Sequence, residues 1–235
     1  MNNKRNKNGV TLVEILTVVA IVGILASLVV AIATRLDNKA KEQLAGNTIG
    51  IITDALEQFA DYEYSYNNVN YSEFKFPLDC NDFTQSQLEA ALLSELDPLG
   101  TLGVSVSILP AGNLNRRNEY SGSEILYFFL SRVPACRKTL ERIDSSLITD
   151  EDDGGNQMTI EIRVNDIVKT NYPLKRFVDP WLERGKKSKT GRTLRYDYYD
   201  EFLFPPNPDT RRAFPVITSA GPDGEFDTLD DITSR

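Results

Sequence analysis

The spacing of hydrophobic and polar positions changes along the chain. From Ile15 to Thr34 nearly every residue is apolar or small. At 1.5 Å per residue this run predicts a helix of ~30 Å, the thickness of a bilayer's hydrocarbon core. Apolar positions then thin to a helical spacing. Leu44, Thr48, Ile51, Ile52, Ala55, Leu56 and Phe59 recur at three- and four-residue steps, with Lys39, Lys41, Glu42, Asp54 and Glu57 on the other faces. One helix from about Thr11 to about Asp61 follows, apolar all round in its first half and amphipathic in its second. Tyr62 to Tyr71, rich in Tyr and Asn, loses the period and reads as a loop.

Helical signals continue through the middle. Thr84 can cap a helix carrying Leu88, Leu92 and Leu96, ended by Pro98 and Gly100. Ser123 can cap another over Glu124 to Val133, and a third is expected over Lys138 to Leu147. The run Asp150 to Gly155 reads as a solvated acidic loop. Period-two alternation then takes over at Met158, Ile160, Ile162 and Val164, with Asn165-Asp166 as a turn into Ile167 to Tyr172. Leu194 to Tyr199 and Phe214 to Thr218 read as further strands. The expected fold class is α+β: a long N-terminal helix, transmembrane in one half and amphipathic in the other, packed on a small antiparallel sheet, with a helical insertion in the middle. The divisions are a leader at 1–9, a membrane helix at 10–34, an amphipathic helix at 35–61, a loop and helical insertion at 62–156, and the sheet at 157–235.

Composition narrows the chemistry. The 235-residue chain has no histidine and a net charge of −8. Without imidazole, Ser-His triads and histidine metal sites are excluded. The acidity disfavours nucleic acid, which needs clustered Lys and Arg, and suits a cation. With no nucleophile motif either, an enzyme is not expected. Cys80 and Cys136 could form a disulfide in an oxidising compartment or stay as two buried thiols; two distant cysteines do not decide between these.

Charge also orients the N-terminus. Lys4, Arg5 and Lys7 precede the apolar run, which places the leader in the cytoplasm and the residues after Arg35 outside. Glu14 stands at the start of the span, where burying a carboxylate costs at least ~2.5 kcal/mol. It could snorkel to the interface, or pair with a positive charge from another subunit. Gly9, followed by Val10-Thr11-Leu12-Val13-Glu14 and the apolar helix, resembles the prepilin peptidase signal of type IV pilins and pseudopilins. That resemblance implies cleavage between Gly9 and Val10, N-methylation of Val10, and Glu14 neutralising a neighbour's N-terminus during filament assembly.

Two further segments resemble the major pseudopilin of type II secretion. Asp179-Pro180-Trp181, with Leu194-Arg195-Tyr196-Asp197-Tyr198 after it, is similar to an Asp-Pro-Trp-Gly…Tyr-x-Tyr segment. Leu182 replaces its glycine, and a basic stretch, Gly185 to Arg192, is inserted. Trp181, the sole tryptophan, is expected to anchor the sheet on the helix. Ser219 to Ile232 offers Asp223, Glu225, Asp227, Asp230 and Asp231 with Gly221 and Gly224 at turns, an oxygen-rich set suited to calcium. Thr228 and the lack of a closing glutamate exclude an EF-hand. The segment resembles the pseudopilin calcium loop Ser-x-Gly-x-Asp-Gly-x-x-Gly-Thr-x-Asp-Asp-Ile. The match implies Ca2+ held by Asp223, Asp230 and Asp231, with the Ala220 carbonyl as a weaker contributor. Asp227, standing where the family has glycine, either adds a ligand or alters the loop. The resemblance implies an inner-membrane subunit with a periplasmic domain, polymerising as a helical homo-oligomer alongside other pseudopilins and a secretion platform. A type IV pilin or minor pilin of a surface fibre is the alternative.

Overall fold

The computed structural model describes residues 12–62, 65–66, 69–70, 76–77, 85–97, 99–109, 122–151, 156–181, 193–197 and 214–234. The chain divides into two units, residues 1–41 and 42–235. The first helix, α1, runs Leu12–Ala60, 49 residues. Its residues up to Lys41 belong to the first unit. There the large apolar side chains from Leu12 to Leu36 are all exposed, including Leu12 at 79% and Val19 at 64%.

In the second unit the remainder of α1 buries one stripe. Ala45, Thr48, Ile49, Ile52, Ala55, Leu56 and Phe59 turn inward at three- and four-residue steps; the expected stripe is shifted at its start, where Leu44 is exposed and Ile51 half-buried while Ala45 and Ile49 take the inner positions. After α1, β1 (Ser65–Tyr66) and β2 (Val69–Asn70) pair antiparallel in the stretch expected to be a loop. Then comes α2 (Gln85–Leu96), burying Leu88, Leu92 and Leu96; its expected cap, Thr84, lies outside the described residues. Helix α3 (Gly122–Arg132) follows. Ser123 does not cap it. The helix begins one residue earlier, and the Ser123 hydroxyl accepts the Phe177 N–H at 2.9 Å instead. The third helix is shorter and earlier than expected: α4 is Pro134–Leu140. Pro134 suits the first helical turn, where its missing N–H is no loss. Asp144 then caps a 3-10 turn, Ser145–Leu147, by accepting the Ser146 N–H at 2.8 Å. Asp and Ser side chains compete locally with the helical ladder, so α4 does not continue.

The middle of the chain is not helical throughout. It contributes β3 (Val104–Leu109), which pairs antiparallel with β5 (Thr159–Val164) from Val104↔Val164 to Leu109↔Thr159. β5 also pairs with β6 (Ile167–Pro173), giving the order β3-β5-β6. Asn165 and Asp166 join them with φ of 50° and 61°. Both lie in the left-handed region of a type I′ turn, whose twist matches that of the strands. Ile160 and Ile162 point from β5 into the core and are fully buried. β4 (Ile148–Thr149) pairs with β7 (Arg176–Phe177). The last sheet has the order β10-β9-β8, from β8 (Arg195–Asp197), β9 (Val216–Ser219) and β10 (Ile232–Thr233). The expected α+β class, a long N-terminal helix with small antiparallel sheets, is what the chain adopts.

Cys136 on α4 is a buried free thiol, and its S–H donates to the Ala55 carbonyl at 3.2 Å. Its expected partner, Cys80, lies outside the described residues. Burial pushes the thiol up to about 11.

Candidate functional site

Strands β9 and β10 are the two ends of the acidic segment. Ser219 pairs with Ile232, so residues 220–231 form a closed loop at the end of a ladder. Gly221 and Gly224 take φ of +64° and +71°. At Gly221 nothing larger fits: a Cβ would collide with the Asp230 backbone carbonyl. Asp230 is the hub of the loop. Its Oδ2 accepts the Asp223 N–H at 3.1 Å, and its Oδ1 accepts the Thr228 hydroxyl at 2.7 Å. Asp231 Oδ2 accepts the Asp227 N–H at 2.8 Å, and Asp223 Oδ1 accepts the Glu225 N–H at 2.8 Å.

These bonds and their surroundings divide the carboxylates electrostatically. The Thr228 hydrogen bond holds Asp230 below the usual carboxylate range. Desolvation pushes Asp231 up. Of the expected ligands, Asp223 and Asp230 are bonded directly, Asp231 is joined to the loop through the Asp227 N–H, and Ala220, fully buried, sits at the loop's entrance. All donors are oxygen, which is calcium chemistry. Among the described residues, however, no three His, Cys, Asp or Glu side chains stand close enough together to hold a metal. An ion would have to draw the carboxylates inward from their present hydrogen bonds.

Asp227 is not among the linked acids facing Asp230. Its carboxylate takes both terminal nitrogens of Arg195, at 2.9 and 3.1 Å. This pairing holds Asp227 below the usual range. Its backbone nonetheless has φ of +67°, the conformation for which glycine is the default. Asp227 thus adopts a backbone conformation usual for glycine and directs its carboxylate to Arg195 on β8.

Behind the loop lies Asp179, only 1% exposed. It accepts the Ser219 hydroxyl at 2.5 Å and the Trp181 N–H at 3.1 Å, and the Ser219 oxygen accepts the Gly221 N–H at 3.2 Å. Burial pushes Asp179 up to about 6, against the pull of these hydrogen bonds. The Asp-Pro-Trp corner is thereby tied to the loop through its aspartate. Trp181 itself is half-buried. Tyr196 on β8 and Phe177 on β7 are both fully enclosed, and the Tyr196 hydroxyl donates to the Pro77 carbonyl at 2.6 Å.

At the other end of the chain, Gly9 and Val10 lie outside the described residues. Glu14 sits in the first turn of α1, exposed, where the helix dipole favours an anion. The helix after it passes the length and hydropathy test for a membrane span, with none of that window buried. A core helix of equal hydropathy would be covered. Its polar side chains close on their own backbone: Thr17 donates to the Val13 and Glu14 carbonyls, Ser27 to Ile24 and Thr34 to Ala31. Such bonds let hydroxyls enter hydrocarbon without an unsatisfied donor.

Residues 4–30 match the model of the prokaryotic N-terminal methylation motif. The match spans the basic leader, Gly9, Glu14 and much of the apolar run. No curated protein and no solved structure matches the chain. The chain therefore carries a type IV pilin-like signal. With the exposed apolar helix, this fits a membrane-anchored protein processed by a prepilin peptidase and built into a pilus-type assembly. Proteins bearing this signal are structural rather than catalytic.

Sequence reading brought Asp223, Asp230 and Asp231 into one loop but missed the partners that fix it. Asp179 stands within Asp-Pro-Trp, whose most conspicuous residue is the tryptophan. Arg195 stood in the strand pattern as an ordinary polar position. Neither residue carries a local signal for its contact, since Asp179 reaches Ser219 across 40 positions and Arg195 reaches Asp227 across 32.

Proposed function

We propose that this chain is a structural pseudopilin of a type II secretion system. It polymerises through its N-terminal helix into a short periplasmic pseudopilus that drives folded proteins across the outer membrane. The observation that carries this reading is the fully exposed apolar stretch Leu12–Leu36, headed by Glu14 and preceded by the methylation signal. A helix so uncovered has its partners outside the chain: lipid first, then the same helix of neighbouring subunits. Cleavage after Gly9 creates a positive Val10 amine. Pairing that amine with a neighbour's Glu14 sets the axial register, because a carboxylate in hydrocarbon is tolerated only when paired.

The chain is placed in the bacterial inner membrane as a single span, N-terminus cytoplasmic and C-terminal domain periplasmic. Other pseudopilins and an inner-membrane platform are its further partners. Support for secretion over a surface fibre comes from the C-terminal corner, where Asp179 of Asp-Pro-Trp is wired to the acidic loop. There we assign Ca2+ to Asp223, Asp230 and Asp231, with the Ala220 carbonyl as a further contact and Asp227 left to Arg195. The ion would replace mutual carboxylate repulsion with attraction and draw the loop together.

Deleting the gene tests the assignment. Secreted proteins should accumulate in the periplasm. Normal secretion with lost surface fibres would instead favour the second reading, a type IV pilin or minor pilin, for which the helices α2, α3 and α4 in the middle offer an added surface. Calcium has its own test on the full chain in detergent. At a hundred times the dissociation constant, it should stabilise the chain by ~2.7 kcal/mol over chelator; no shift would remove the ion from the reading.

A further inference from the structure

The segment Phe214 to Ser234 contains no Lys or Arg, yet Asp223, Glu225, Asp227, Asp230 and Asp231 crowd within it. Its counter-charge has to come from elsewhere. One source is the neighbouring strand. Arg195 opens β8 with its side chain only 19% exposed. Its Nη1 and Nη2 grip the two oxygens of Asp227 at 3.1 and 2.9 Å, a fork-to-carboxylate pair. Its Nε lies 2.8 Å from Asp197 Oδ2 on the same strand. The ring of Phe226, the residue before Asp227, lies against the guanidinium at 4.8 Å, so a cation–π contact backs the ion pair. Desolvation works against the Arg195 charge, but Asp227, Asp197 and Asp231 outweigh it and raise its pKa.

The backbone agrees with this wiring. Asp227 is held at φ of +67°, a conformation that persists in a non-glycine residue only when its surroundings over-determine it. Here they do so from both ends. The N–H is fixed on Asp231 at 2.8 Å and the carboxylate on Arg195.

We propose that Arg195 is a resident cation of the C-terminal acidic loop. Through Asp227 it latches residues 221–231 onto β8 and keeps the loop folded on the sheet without a bound ion. The latch is a property of the chain's own residues and does not depend on the calcium assignment. Only the rescue arm of its test rests on that reading. Arg195 is a positioning residue: it fixes where the loop's carboxylates stand before any ion arrives.

Amide hydrogen exchange on the full chain in detergent micelles, in chelator at neutral pH, tests the latch. In Arg195→Gln and in Asp227→Asn the Glu225 and Asp227 amides should exchange about fivefold faster, a modest factor because the Asp227 side is solvent-screened. The Ile160 and Ile162 amides of β5 should not change. Arg195→Lys, which keeps the charge and loses the fork, should recover only part of the protection. Calcium chloride should restore slow exchange in Arg195→Gln and alter the unmodified chain less. Equal loop exchange in all four proteins under chelator overturns the latch, whether or not calcium binds. Faster exchange in both latch variants that calcium fails to reverse upholds the latch and removes the calcium reading instead. Should Arg195→Gln also loosen β5, Asp227→Asn decides, since it alters an exposed side chain.

Discussion

The exposed helix Leu12–Leu36 and the acidic loop 220–231 present opposite problems to solvent. The helix shows large apolar side chains on every face, while its few hydroxyls are already closed on backbone carbonyls. Its hydroxyls need no further partner, and its apolar surface awaits a different solvent. The loop shows charged groups that repel one another, and it is wired through Asp230, Asp179 and Arg195 to itself and to the sheet. The first region is therefore completed by an environment and, on the reading proposed above, by neighbouring subunits. The second is nearly completed within the chain and leaves an ion, at most, to be added. A change in the helix should act on assembly, and a change in the loop on folding and order.

Glu14→Ala should break that distinction most visibly if it is wrong. Removing one partner of a charge pair in a low-dielectric interface costs ~2–5 kcal/mol per contact, and a filament repeats the contact at every subunit. Processed chain should accumulate in the membrane while sheared or crosslinked filaments disappear, with the unfolding of the second unit unchanged. Filaments at normal levels would refute the register role of Glu14.

Two identical glycine substitutions sharpen the contrast. Gly221→Ala places a methyl against the Asp230 carbonyl at a positive φ. It should cost ~1–3 kcal/mol in chemical unfolding and abolish the Asp223–Asp230 linkage. In Gly23→Ala the added Cβ meets nothing within 4 Å, and alanine is the better helix former by ~0.5–1 kcal/mol. Unfolding should be unchanged or slightly harder, and any loss should appear only in assembly, where a neighbour's helix could need the space. Equal destabilisation by both would mean that the two regions are not held by different means.

The parts of this molecule that were legible in sequence are those whose signals are local. The apolar run, the amphipathic stripe ending at Phe59, the alternation through Ile160 and Ile162 and the Asn165-Asp166 turn each carry their own period or turn chemistry, and each was found where expected, the stripe shifted at its start. The misses are non-local. β3 is an exception, since Val104, Val106 and Ile108 alternate with Ser105 and Ser107, a local strand signal within a stretch read as helical. Ser123 looks like a helix cap, yet it bonds to Phe177 on β7, which no local pattern announces. At the candidate site the acidic residues were evident by composition, but their division was not. Whether Asp227 serves the ion or the sheet depends on Arg195 being brought alongside by the β8–β9 pairing.

Asp179→Ala should have an intermediate effect. It strips the acceptor from the Ser219 hydroxyl and from the Trp181 N–H, leaving buried donors unmatched at a cost of ~1–3 kcal/mol. Asp179→Asn keeps the shape and an acceptor oxygen without burying a charge, so it should be better tolerated in denaturant titration of the full chain in detergent. If both substitutions were silent, the Asp-Pro-Trp corner would not be tied to the loop in the way described.

Cys136 should give the smallest effect at neutral pH and tests the interior facing Ala55. Burial raises its thiol to about 11, so the folded state favours the neutral form relative to an ordinary cysteine near 8.5. The sign follows. Its contribution to stability is fully present below about pH 8, shrinks as the unfolded thiol begins to ionise, and is lost as pH passes about 11. Between pH 6 and 8 the residue should leave no mark on the stability curve. Its reactivity should: at pH 8 the thiolate fraction is about two hundredfold below that of a free cysteine, so alkylation by iodoacetamide should wait for unfolding. Mass spectrometry of the natively labelled, non-reduced chain reads the outcome directly. Rapid native labelling would place Cys136 outside the core, and an intact Cys80–Cys136 bridge would show that the thiol bonded to Ala55 is not the form the mature chain takes.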